Sequence, residues 1–112
     1  MPRNGVYWQR RKAQTMEEYK EKVIRRAVRL TGYVQGVGLR WRARQAANAL
    51  GVTGRVRNEP DGSVSLELQG TEEQIDGVIL AIERGRYVQI EGFYAKTVPT
   101  VENEYAFTAE EE

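Results

Sequence analysis

Neither cysteine nor histidine occurs among the 112 residues. Without thiols there is no disulfide framework and no thiolate nucleophile; without imidazole the commonest proton shuttle and zinc ligand are missing too. Chemistry here must come from Arg, Lys, Tyr, Asn, carboxylates, hydroxyls and main-chain amides. No apolar run reaches the roughly 18 residues of a membrane-spanning helix, and the N-terminus lacks the apolar stretch of a secretory signal. The expectation is a cytoplasmic, one-domain monomer that needs no metal or cofactor and makes no membrane contact, since a chain this short has one core.

Acidic residues are scarce in the first half of the chain. Residues 1–57 hold 14 Lys/Arg against 3 Asp/Glu, whereas residues 58–112 hold 3 against 13, for a formal net charge of +1. Two readings follow. A basic face would steer anions or nucleic acid; alternatively, strands from the two halves interleave and pair these charges across the sheet.

Periodicity divides the chain. Residues 1–22 show no sustained apolar period and read as a flexible tail, within which Met16 is a candidate natural start. From Val23, the placing of Ile24, Val28 and Leu30 suits a half-buried strand, with Arg26 the exception. Leu39, Ala43, Ala46, Ala47 and Leu50 recur at helical spacing, and Gly51 is placed to end that helix. Val52 to Arg57 and Val64 to Leu68 alternate around a Pro60-Asp61-Gly62 turn, as in a hairpin. Thr71 and Gln74 form a capping box ahead of Ile75, Val78, Ile79 and Ile82. Tyr87 to Val98 is strand-like, Tyr105 to Thr108 reads as a short edge strand, and residues 109–112 as an acidic tail. The order β-α-β-β-α-β with a small extra strand predicts a domain over 23–108 of α+β, ferredoxin-like type: a split β-α-β sandwich with two helices on one face of a mostly antiparallel sheet.

Between the first strand and first helix stands Val34-Gln35-Gly36-Val37-Gly38-Leu39-Arg40. Spaced glycines opening a helix let main-chain N–H groups converge on an anion, and an arginine adds a planar fork of donors. The lysine and hydroxyl of a Walker loop are absent, as is the third glycine of a dinucleotide fingerprint. By itself the segment also fits a plain turn with a solvated arginine. A second segment, Gly54-Arg55-Val56-Arg57-Asn58-Glu59-Pro60-Asp61-Gly62, adds to it. Asn58 alone suits a turn residue. Together, however, the two segments resemble the two signature regions of the acylphosphatase family, without a gap from about Thr31 to Gly70 and at fold level from about Val23 to Thr108.

That resemblance implies a hydrolase cleaving the carboxyl–phosphate bond of small acyl phosphates, with inorganic phosphate as product and inhibitor. It assigns phosphoryl binding to Arg40 and orientation of the attacking water to Asn58. The cup would comprise the amides of Gln35, Gly36, Val37, Gly38 and Leu39. Acyl phosphate hydrolysis suits a histidine-free chain, because the carboxylate leaving group needs little protonation. Three positions depart from the family pattern: Leu39 replaces a usual phenylalanine, Arg55 a frequent aromatic, and Gly85-Arg86-Tyr87 a common Gly-Pro segment. Trp41 reads as core or rim packing. The competing expectations are a catalytically silent domain of the same type and a nucleic-acid-binding ferredoxin-like module. The latter is disfavoured because Ser65, Glu67 and Gln69 stand where stacking aromatics belong.

Overall fold

Alternating burial builds the sheet. The computed structural model describes residues 22–110, and β1 (Val23–Tyr33) sits between two partners in it, turning Val28 and Leu30 toward the core. β2 (Thr53–Asn58) and β3 (Val64–Thr71) form the expected hairpin; in β3, Val64, Leu66, Leu68 and Gly70 are buried while every residue between them is half-exposed. With β4 (Gln89–Val98) and β5 (Phe107–Glu110) the strand order is β4-β1-β3-β2-β5, antiparallel throughout except for β2 with β5.

Helices α1 (Leu39–Leu50) and α2 (Glu72–Glu83) cover one face, burying Leu39, Ala43, Ala47, Ile75, Val78 and Ile82. Each large aliphatic side chain withdrawn from water contributes about 1.5–3 kcal/mol, so this layer of contacts holds the fold. The helices approach closely at Gly77, where a Cβ would come within 2.7 Å of a Leu50 methyl. Gly51 ends α1 in the left-handed conformation at φ 77°, and the Thr71–Gln74 box caps α2 reciprocally. The α+β, ferredoxin-like sandwich read from the sequence is therefore the observed architecture.

The C-terminal boundaries shift. β5 begins at Phe107 rather than Tyr105 and continues through Glu110, so Ala109 and Glu110 belong to the sheet and not to an acidic tail. Phe107 is 3% exposed and pairs with Gly54, and Ala109 pairs with Val56, so core packing and parallel pairing carry the strand past Thr108. β4 likewise starts at Gln89, not Tyr87. Of the tail read over 1–22, only Lys22 lies within the described residues.

β4 and β5 occupy opposite edges, so the segment 99–106 must cross the sheet. It does so on the helix-free face. Gln69 exchanges two hydrogen bonds with the backbone of Val101, and Arg25, 3% exposed despite its charge, donates to Glu104 at 2.8 and 3.1 Å and to Glu67 at 3.0 Å. Arg26, the exception to the first strand's alternation, lies on the helix side and pairs with Glu72. Every ion pair among the described residues joins a base from residues 1–57 to an acid from residues 58–112. Arg25, Arg26, Arg29, Arg55 and Arg57 are paired in this way, as the interleaving reading expects.

Candidate active site

The loop between β1 and α1 is pinned from below. Val34 (1% exposed) and Leu39 (2%) point into the core and Val37 packs partly against it, while Gly36 and Gly38 face solvent. Both glycines are left-handed, at φ 72° and 77°, and a Cβ on either would meet no atom within 4 Å. Backbone conformation, not crowding, therefore asks for glycine, and such alternate left-handed residues turn successive amides toward one side.

The start of α1 is unusual when set beside α2. α2 carries a side-chain cap and two glutamates in its first turn; α1 has neither a capping side chain nor an acid there, and begins with Leu39, Arg40 and Trp41. The first-turn N–H groups, which have no partner within a helix, and the positive dipole end are thus met by neither a capping side chain nor an acid. Trp41 is 65% exposed, so the core reading for it does not hold.

Arg40 is half-buried and its Nη1 donates to the main-chain oxygen of Glu110 at 2.8 Å. That bond fixes one edge of the guanidinium. Its other donors bond to no described residue. Sequence reasoning missed Glu110, having assigned it to the tail; the alternation of Phe107 and Ala109 was the available signal.

Asn58 ends β2 with the parity of Gly54 and Val56, both buried, and so emerges on the helix-covered face; Arg55 and Arg57 point to the opposite face. Its side chain hydrogen-bonds to no other described residue. The two motifs are tied together by Gln35, whose Nε2 donates to the carbonyl oxygens of Glu59 at 2.7 Å and Ser63 at 2.9 Å. The expectation for Gln35 concerned its main-chain amide; its side chain in addition clasps the turn that follows Asn58.

The turn itself is cross-linked by hydrogen bonds. The Asp61 carboxylate accepts from the Ser63 hydroxyl and amide and from Arg29, and these bonds, the Ser63 hydroxyl's first, hold its carboxyl down to about 2. At neutral pH it stays ionised and able to accept all three hydrogen bonds.

A glycine loop ahead of a helix without a side-chain cap, an arginine anchored to β5, and an asparagine one residue before the Gln35-bound carbonyl of Glu59 make up the candidate site. The acylphosphatase family model matches residues 26–109, spanning all of it. The chain belongs to the acylphosphatase family. It is 39% identical over 93 residues to an acylphosphatase of Clostridium acetobutylicum, covering 82% of this chain and 94% of that one. Among solved structures it is similar to an acylphosphatase from Coxiella burnetii (TM-score 0.70, 26% identity, 79% of this chain and 93% of that one). A Bacillus subtilis acylphosphatase shares the fold, with TM-score 0.72, 22% identity, and coverage of 80% and 100%.

The departures from the acylphosphatase pattern now have places. Leu39 fills core volume, leaving only its amide to the loop; Arg55 lies on the helix-free face, bound to Glu67 at 2.6 Å; and Arg86 stacks over Tyr87 at 5.8 Å. No described helix is long and apolar enough to cross a membrane.

Proposed function

We propose that this protein is an acylphosphatase in which the amides of Gln35 to Leu39 and the guanidinium of Arg40 hold the phosphoryl group, while Asn58 positions the attacking water. The water oxygen forms a bond to phosphorus as the bond to the acyl oxygen breaks. A carboxylate departs, and the water's proton passes to the phosphate itself. Charge neutralisation and alignment supply the rate, which suits a site of amides, one guanidinium and one carboxamide.

The observation that carries this reading is the double hydrogen bond from Gln35 to the carbonyls of Glu59 and Ser63, because it binds the phosphate-loop segment to the turn that begins at Asn58. The test is hydrolysis of benzoyl phosphate with chelator present and inorganic phosphate as competitor. Turnover that survives chelator and is inhibited competitively by phosphate supports the reading. Absence of turnover by the folded protein overturns it.

A further inference from the structure

The helix-free face carries two rows of side chains set by the strand register. Lys96, Ala27, Glu67 and Arg55 stand opposite one another from β4 to β2; in the next row Tyr94, Arg29, Ser65, Arg57 and Glu110 run from β4 to β5. Each row has one short residue, Ala27 or Ser65, among long ones. The result is a hollow of about 370 Å³. The neighbouring row, containing Arg25 and Gln69, is crossed by the segment 99–106.

Its charges are unequally matched. Arg29 pairs with Asp61, Arg55 with Glu67 and Glu110, and Arg57 with Glu59, whereas Lys96 has no ion pair with any described residue. Two positions along the same strand and on the same face stands Tyr94, 59% exposed. An ammonium with no ion pair among the described residues, the Tyr94 side chain in the lining, its ring leaning over Gly92, and a small apolar floor at Ala27 suit a ligand with one negative charge and a flat ring. The volume falls in the range of about 300–1,000 Å³ typical of small-molecule sites.

We propose that this hollow binds a small aryl carboxylate, its carboxylate on Lys96 and its ring against Tyr94 above Ala27. A dianion would have to break the arginine–glutamate pairs of the rim; a monoanion needs only the free charge. The site lies on the face opposite Asn58 and does not depend on hydrolytic activity.

The test is an amide-resolved NMR titration of the whole chain with 1-naphthoate, in saturating inorganic phosphate to occupy the phosphate loop. Saturable shifts at Ala27, Ser65, Tyr94 and Lys96 are expected, with Kd at or below about 1 mM. Lys96→Ala should weaken binding about tenfold, by removing a charge-assisted hydrogen bond. Tyr94→Ala should weaken it about fivefold through lost ring contact. Both variants should keep wild-type turnover of benzoyl phosphate. Absence of saturable shifts, shifts confined to residues 35–40, or wild-type affinity in both variants overturns the proposal.

Discussion

The Arg40 side chain donates from Nη1 to the main-chain oxygen of Glu110, 70 residues further along the chain and at the end of the parallel edge strand. β5 therefore does more than close the sheet; it supplies the acceptor that orients the candidate phosphate-binding guanidinium. Phe107 holds that strand in place. Phe107→Ala should cost about 3–5 kcal/mol, the usual loss for a buried phenylalanine. It should also raise KM for benzoyl phosphate, because the Arg40 acceptor loosens with the strand. Urea unfolding read beside kinetics checks this, and a destabilised variant with unchanged KM would disconnect β5 from Arg40.

Arg40→Lys keeps the charge and removes the planar fork. With positioning as the main catalytic contribution, kcat/KM should fall about 10²–10³-fold while urea unfolding shifts little. Asn58→Ala should lower kcat by a similar factor with phosphate inhibition retained, since the carboxamide is assigned to the water and not to the phosphate. An Asn58→Ala enzyme that turned over normally would remove it from the reaction.

How much of this could be read beforehand depended on sequence distance. β3 and α2 declared themselves because Val64, Leu66 and Leu68, and Ile75, Val78 and Ile82, repeat with one period over a whole element. The parity that sets Asn58 on the helix-covered face was readable for the same reason. Glu110 was harder to read, because the alternation of Phe107 and Ala109 is too short to stand out and the partner strand β2 lies far earlier in the chain, beyond the reach of a local pattern. The clasp by Gln35 was equally hidden: an amide beside two glycines reads as loop, and its carbonyl partners are fixed only once the hairpin turn folds against it.

Gln35→Ala tests the clasp. It removes two hydrogen bonds worth about 1 kcal/mol each and frees the turn after Asn58. Stability should fall by about 1–2 kcal/mol, and kcat/KM about tenfold, from misalignment of Asn58 against the loop. Calorimetry and benzoyl phosphate kinetics give the two readings; lost stability with intact kcat/KM would make the clasp structural only.

Gly54 is the strictest glycine requirement among the described strands. Its φ is 135°, and a Cβ there would collide with the carbonyl oxygen of Glu67 on β3. Gly54→Ala should cost at least about 3 kcal/mol, combining left-handed strain with a backbone shift in the central hairpin. Soluble expression with near-native urea resistance would show that β2 and β3 can part at this point.

Acid should unfasten the segment 99–106. The Arg25 guanidinium, hydrogen-bonded to both, holds the Glu104 and Glu67 carboxyls below their usual range, with Arg55 the second influence on Glu67. A carboxyl whose folded value is depressed contributes stability that is fully present above its unfolded value, near pH 4.3, and is lost as pH falls through the folded value. Stability should therefore be level near neutrality and decline below about pH 4.5. Glu104→Gln removes the charged partner of a buried arginine, so it should be less stable than wild type at pH 7 by about 1–3 kcal/mol and lose less on acidification. Urea midpoints at pH 7 and pH 3 supply the comparison; parallel losses in the two proteins would mean that the Arg25–Glu104 pair does not govern the acid response.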